Sequence, residues 1–295
     1  MNKKTIKSLT RLDKIRLNIS RNWEMPGRER IASMLVPKSK ENENQLYEGI
    51  TWLKQEYLAV NFSSSSYIEW KILSEGNYEP ATGDIIRMSL QAGETALDVG
   101  ANIGVHTLRM AQSVGKSGRV IACEPLPHLQ LKLQQNIHLN RFENIVEIVP
   151  AALSDYNGRT NMNAEVSSFN QGTGRMDKSG SMEADVFRGD DLLEKMAIEN
   201  LSMIKIDVEG FEMKVIEGLK QSIRKYMPRI IVEYDAAYWK TCNSSWQDLY
   251  DFLNSMQYSF YRIDHPILTE INGTPDFSSG NILCMRKNIN LTQPR

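Results

Sequence analysis

From residue 94 onward the chain alternates between short apolar runs and longer stretches whose apolar residues recur every three or four positions. "TALDVG", "GRVIACEP", "IVEIVPAAL", "LSMIKIDVEG" and "RIIVEYD" have strand length and end in Gly, Pro or acidic punctuation. Between them, "GVHTLRMAQSV" places Val105, Leu108, Ala111 and Val114 on one helical face. "PHLQLKLQQNIHLN" does the same with Leu129, Leu133 and Ile137. "RGDDLLEKM", "EMKVIEGLKQSI" and "SWQDLYDFLNSM" read as further helices. Repeated strand–helix alternation predicts a doubly wound, mostly parallel α/β sheet. "YSFYRID" and "GNILCMRK" follow without an intervening helix, which predicts an antiparallel edge. Residues 154–190, rich in Gly, Ser, Asn and Asp, read as a long excursion.

Ahead of this core the pattern is weaker. "YLAVNF" and "SYIEWKIL" read as strand pieces. "EGNYEPATGDIIRMSL" reads as a turn and a short helix with Ile85, Ile86 and Leu90 inward. The expected organisation is a basic helical segment over 1–47, a cap or lid over 48–90 and the main domain over 91–290.

Charge sharpens that division. Residues 1–40 hold eleven Lys/Arg against three acids, a net +8, and the remainder holds 24 bases against 33 acids, a net −9. An acidic body is a poor partner for nucleic acid. In the basic head, Ile6, Leu9, Leu12 and Ile15 recur at helical spacing. Such a head suits either an anionic membrane or partner surface, or a solvated helix on the body. No apolar run has the length of a membrane span or the form of a signal peptide. The three cysteines, Cys123, Cys242 and Cys284, are far apart and off metal spacing. Together these features predict a cytoplasmic protein with reduced thiols.

The candidate chemistry begins at "LDVGANIGVHT", residues 97–107. A strand entering a helix presents amides to a ligand, and Gly100 and Gly104 allow close approach to the backbone. The spacing Asp98-x-Gly100-x-x-x-Gly104 departs from the Gly-x-Gly-x-x-Gly of dinucleotide folds, which disfavours a nicotinamide dehydrogenase. An acid beside the loop repels a pyrophosphate and holds an ammonium group. Glu124 ends the next strand, where a carboxylate can accept both hydroxyls of an adenosine ribose. The two features point to S-adenosyl-L-methionine as cofactor.

"LDVGANIGVHTLRMA", "GRVIACEPLPHLQLKLQQNIHLN" and "MIKIDVEGFEMKVIEG" resemble the FkbM family of S-adenosylmethionine-dependent methyltransferases, and "GNYEP" and "GNILCMRK" are similar to it too. The resemblance covers roughly residues 70–287 and leaves the basic head outside. It implies a class I methyltransferase (Rossmann-like) fold with a seven-stranded sheet whose last strand is antiparallel. It also implies O-methylation, often of sugars or secondary-metabolite hydroxyls.

Methyl transfer to a hydroxyl needs positioning and a proton acceptor, or a metal that acidifies the hydroxyl. In "MIKIDVEG", Lys205 and Asp207 share one face, and a buried Lys205 needs a carboxylate partner. Asp207, Glu209 and Glu233 converge at two strand exits as the candidate catalytic set, with Asp235 close by. If a divalent metal is present, Asp207 and Glu233 are its ligands. A structural ion pair, with Glu209 as a helix cap, is the alternative. Asp98, Gly100, Asn102, Gly104 and Glu124 form the donor side. Ala151, Ala152 and Ser154 are expected near the adenine, and Tyr78 and Glu79 as lid residues. Asn170, within a stretch that includes Ser168 and Gln171, is expected on the acceptor side with Lys205 and His265. His106 is a weaker pocket candidate, and His128 and His138 are expected on the surface or in packing.

The leading reading is an O-methyltransferase acting on a sugar or glycan precursor, assembled as a homo-oligomer. A natural-product methyltransferase is the alternative, with Trp70, Tyr238, Trp239 and Tyr261 lining an apolar acceptor pocket. A non-catalytic cofactor-binding interaction module is the third.

Overall fold

The computed structural model describes residues 5–7, 11–22, 28–36, 45–53, 56, 58–63, 66–164, 174–176, 180–264 and 267–287. Among these, the chain forms two compact units, one of residues up to Glu79 and one of Pro80–Ala164 with Gly174 onward.

The larger unit is built on one eight-stranded sheet. Its strands are β1 (Thr95–Val99), β2 (Arg119–Cys123), β3 (Val146–Val149), β4 (Met203–Ile206), β5 (Arg229–Asp235), β6 (Tyr258–Asp264), β7 (Ile267–Glu270) and β8 (Ser279–Arg286). The order is β7-β6-β8-β5-β4-β1-β2-β3. Strands β1 to β5 are mutually parallel. The last strand, β8, is antiparallel to both neighbours and sits between β5 and β6 rather than at the edge. The antiparallel edge strand is β7, which adds an eighth strand to the seven expected. This is the doubly wound class I methyltransferase arrangement, with helices supplying the crossovers.

β1 is buried at all five positions, as a central parallel strand covered on both faces must be. One core cluster joins Leu97, Ile121, Ile204, Ile230 and Ile282 from five strands to Val215, Ile216 and Leu249 from the helices. Each such side chain contributes roughly 1.5–3 kcal/mol by leaving water.

Several segments differ from the sequence reading. "IVEIVPAAL" breaks at Pro150, and Ala152–Ser154 leaves the main sheet to pair in parallel with Val186–Arg188. The excursion over 154–190 contains strands Gly158–Ala164, Gly174–Met176 and Met182–Arg188, which complete a separate four-stranded sheet. These strands are polar and pair mainly with one another, so they carry little apolar alternation. The expected single helix over "EMKVIEGLKQSI" is two, Glu212–Gly218 and Lys220–Tyr226. At Gly218 a Cβ would lie 1.9 Å from the Ser154 carbonyl oxygen. Asp190 receives the amides of Gln221 and Ser222 at 3.0 and 2.8 Å, starting the second helix.

The smaller unit has a three-stranded sheet of Thr5–Lys7, Gln45–Leu53 and Leu58–Ser63, with helices Arg11–Arg21, Arg28–Leu35 and Tyr67–Glu75. Its core is Leu17, Ala32, Val36, Phe62, Trp70 and Leu73. Ile6 therefore lies in a strand, and the basic helix starts at Arg11; Leu9 falls outside the described residues. The expected strand over "SYIEWKIL" is a helix, ended by Gly76 in the left-handed region with its N–H on the Ile72 carbonyl. The expected boundary at 47/48 falls inside strand Gln45–Leu53, and Pro80–Ser89 joins the larger unit. In that helix Ile85 and Ile86 are buried, as is Leu90 just after it, as the spacing requires.

Candidate active site

The loop after β1 is held from three sides. The Gly100 and Ala101 amides donate to the Cys123 carbonyl at 3.0 Å each. The Asn102 amide donates to Glu124 Oε2 at 2.8 Å, and the Ile103 amide to the Asn102 side chain at 2.8 Å. Asn136 Nδ2 donates to the Ile103 carbonyl at 2.7 Å. The loop amides are thus spent within the protein rather than presented to an anion. Gly100 and Gly104 answer to chain packing: a Cβ would lie 1.9 Å from the Asp207 carbonyl oxygen and 2.4 Å from Leu133 Cδ1. Both also have positive φ, +80° and +92°, which favours glycine.

Asp98 is buried at the end of β1. Its Oδ2 accepts the Thr107 hydroxyl at 2.6 Å, while its Oδ1 is buried with no hydrogen-bond partner. A buried, half-satisfied carboxylate is costly unless a donor completes it. The ammonium group of an amino-acid moiety is such a donor.

Glu124 is buried at the end of β2, with Oε1 on the Leu126 amide at 2.9 Å and Oε2 on the Asn102 amide. Each oxygen keeps a second lone-pair site, so the pair of ribose hydroxyls remains within its capacity. Burial pushes this carboxyl up to about 7, against the opposing effect of its two amide bonds. Ala151, Ala152 and Ser154 are buried just beyond β3, Ala152 and Ser154 within the second sheet.

The next layer lies across β4, β5 and β8. Lys205 is enclosed, its side chain 3% exposed, and its Nζ is 2.9 Å from Asp207 Oδ2. The expected carboxylate partner is present, and it takes the ammonium that was expected to face the acceptor. Register sets Lys205 beside Asp98 and Glu233 beside Asn281. Glu233 hydrogen-bonds Asp207, and the Asp207 charge, with burial behind it, holds the Glu233 carboxyl far above the usual carboxylate range. Asn281 Nδ2 donates to Thr82 Oγ1 at 3.0 Å.

Glu212 is the residue the sequence reading missed. It is 1% exposed, and its Oε1 accepts the amides of Val208 and Gly210 at 3.0 and 3.1 Å. It thereby closes the turn carrying Asp207 and Glu209, the capping role that the alternative reading assigned to Glu209. Glu209 itself lies in the left-handed region, at φ +55°. Burial pushes Glu212 up to about 7. The signal was an acid three residues after Glu209 at a helix start.

Among the described residues no group of three or more His, Cys, Asp or Glu is arranged to hold a metal ion. Asp207 and Glu233 are the expected pair, and among the described residues no third ligand of this kind joins them. The donor set does not fit a divalent metal.

Other expectations separate. Tyr78 and Glu79 end the smaller unit, where the Tyr78 amide donates to the Asn77 side chain at 2.8 Å and Glu79 has φ +44°. Ser168, Asn170, Gln171 and His265 lie outside the described residues. Buried His106 meets buried Arg109, its Nδ1 3.3 Å from the guanidinium, while His138 is on the surface beside Glu143. Of the four aromatics expected in an apolar acceptor pocket, Tyr238 is exposed and Tyr261 half-buried, while Trp70 is sealed in the core of the smaller unit. Trp239 is buried against Tyr234, ring centroids 5.1 Å apart.

The model of the "Methyltransferase FkbM domain" matches residues 98–260, more than half of the chain, from Asp98 to β6. The chain belongs to the FkbM methyltransferase family. S-adenosyl-L-methionine is the methyl donor of such families. The FkbM chain is 30% identical over 156 residues to "Hexuronic acid methyltransferase AglP" of Haloferax volcanii, covering 52% of this chain and 62% of that protein. It is 26% identical over 157 residues to "Methyltransferase 1" of Beauveria bassiana, covering 46% and 63%. The matches thus span less than two thirds of either relative. A solved FkbM methyltransferase from Methylobacillus flagellatus KT is similar at 18% identity and a TM-score of 0.46, over 67% of this chain and 47% of that one.

Proposed function

We propose that this FkbM chain transfers the methyl group of S-adenosyl-L-methionine to a hydroxyl of a sugar or glycan precursor. The observation that carries the reading is the Lys205–Asp207–Glu233 layer set level with the Asp98 loop. Asp98 Oδ1 receives the donor's ammonium group, and Glu124 its ribose hydroxyls. The bound donor supplies an activated methyl on a sulfonium, so the protein's work is orientation and proton removal.

Asp207 takes the acceptor proton. Lys205 balances its charge from the enclosed side, and Glu233 hydrogen-bonds it from the next strand. Glu212 holds the turn, and Asn281 and Thr82 brace Glu233's cross-strand neighbourhood. The carbon–sulfur bond breaks as the carbon–oxygen bond forms, and the hydroxyl proton passes to the Asp207 carboxylate. A polar, acidic site of this kind suits a polyol. The similarity to a hexuronic acid methyltransferase supports a sugar acceptor.

Calorimetry with S-adenosylhomocysteine tests the donor site. Wild type binds in the micromolar range, and Asp98→Asn and Glu124→Ala each lose at least tenfold. Methyl transfer from labelled donor to a panel of uronic acids and neutral sugars tests the acceptor. Failure of well-folded wild type to bind S-adenosylhomocysteine overturns the reading.

A further inference from the structure

Of the large apolar side chains exposed among the described residues, six of nine lie in the smaller unit: Leu12, Ile15, Ile19, Met34, Ile50 and Trp52. Three of them form one stripe. Leu12, Ile15 and Ile19 follow i, i+3, i+7 along helix Arg11–Arg21 and are 55%, 51% and 46% exposed. The opposite face holds the unit together: Leu17 is in the core, and Ser20 Oγ donates to the Ser74 carbonyl at 2.7 Å. The helix is therefore anchored on one side and apolar on the side facing water.

Cations border the stripe. Arg11, Lys14 and Arg16 are exposed. None of the three forms an ion pair among the described residues. Arg21 differs, since its guanidinium is spent on Thr51 and on the Ile72 and Leu73 carbonyls. Beside the helix lies a cavity of about 260 Å³ lined by Lys14, Asn18, Arg21, Ile50, Thr51 and Phe62 among others. None of the three stripe residues lines it; Asn18, three residues after Ile15, is the lining residue next to the stripe on the helix. Strand Gln45–Leu53 also points Ile50 and Trp52 outward, each 59% exposed, while Thr51 and Leu53 point in.

We propose that this face docks the protein on an anionic lipid bilayer. The apolar stripe enters the boundary between headgroups and acyl chains, and Trp52 sits at headgroup level. Arg11, Lys14 and Arg16 meet lipid phosphates, with Lys14 and the adjoining cavity receiving one headgroup. Charge complementarity selects this occupant. The surface is basic and apolar together, the combination that anionic bilayers retain and that a purely acidic protein face does not need.

Flotation of the full chain with vesicles tests the proposal. Vesicles of phosphatidylcholine with about a third phosphatidylserine carry the protein, and vesicles of phosphatidylcholine alone do not. Binding falls as salt is raised. Leu12→Glu with Ile15→Glu abolishes flotation while S-adenosylhomocysteine affinity stays at the wild-type value, which shows that the larger unit is intact. Lys14→Glu with Arg16→Glu weakens binding at least tenfold, since each cation lost costs about fivefold. Leu131→Glu, at an exposed apolar residue of the other unit, floats as wild type. Absence of flotation with anionic vesicles at low salt overturns the proposal. So does wild-type flotation of the double variant. Sedimentation showing a dimer that Leu12→Glu with Ile15→Glu splits, with no lipid binding, assigns the face to a second copy instead.

Discussion

A methyl group on Gly100 would sit 1.9 Å from the carbonyl oxygen of Asp207. Val99 is paired with Ile206, so the next residues on the two parallel strands, Gly100 and Asp207, leave the sheet together. The loop after Asp98 and the residue carrying the Asp207 carboxylate are thus fixed against each other, backbone to backbone. Gly100→Ala meets an immovable carbonyl at positive φ, and is expected to cost about 3 kcal/mol or more. Gly104→Ala meets the end of the Leu133 side chain, which can shift, and costs about 1–2 kcal/mol. Thermal melts of the two variants check the ranking, and equal losses contradict it.

Donor binding should depend on pH through Glu124. Its carboxyl stands at about 7 because it is buried, and it accepts two ribose hydroxyls fully only when ionised. Affinity for S-adenosylhomocysteine is therefore flat above neutrality and falls below it, approaching about tenfold per pH unit. Glu124→Gln binds more weakly and without that slope. Titrations from about pH 5.5 to 8.5 decide the matter; an identical slope in the variant assigns the titration elsewhere.

Glu212 gives a stability prediction of known sign. Its folded-state value, about 7, lies above the 4.5 of a free glutamate. The folded chain keeps this proton longer than the unfolded chain does. The contribution is fully present below 4.5 and is lost as pH rises through about 7. Glu212→Gln retains an oxygen for the Val208 and Gly210 amides and removes the titration. The melting temperature of the variant relative to wild type should rise between about pH 5 and 8. Glu212→Ala, which orphans both amides, should melt lower at every pH. A pH-independent difference between the Gln variant and wild type rejects the linkage.

The Lys205–Asp207 pair separates chemistry from scaffold. Asp207→Asn should keep donor affinity within about threefold and lower turnover by about a hundredfold or more, the usual scale of a lost general base. Lys205→Met should be the less stable variant, since it leaves a partly enclosed carboxylate beside Glu233 without its cation. Single-turnover rates at saturating donor, read with the melts, distinguish the two.

A metal-assisted reaction has its own readout. Because no group of three or more ligating side chains is arranged around Asp207 and Glu233 among the described residues, EDTA is expected to leave both turnover and melting temperature unchanged. A loss of turnover restored by a divalent cation would reinstate Asp207 and Glu233 as ligands.

Much of this was legible in the chain itself. Strand–helix alternation determined the parallel core, because a strand covered on both faces must be apolar throughout, as β1 is. Asp98, Glu124 and Asp207 could be placed at strand ends by counting residues along short runs closed by Gly or Pro. The Lys205–Asp207 pair followed from the cost of burying an ammonium group alone.

Other features depended on contacts between distant residues, which local pattern does not encode. The polar strands Gly158–Ala164 and Met182–Arg188 become a sheet only by pairing with each other. The Glu233 carboxyl is raised by the charge of Asp207 on the neighbouring strand, and Asn281 joins the layer because β8 inserts beside β5. Trp70 is core and Trp52 surface for the same reason, since only packing decides which side of an element is covered. The chain's own pattern was enough for the elements of the parallel core and the acids at their ends. Tertiary structure decided which of those charges are desolvated together, because burial and proximity belong to the folded arrangement and not to the chain.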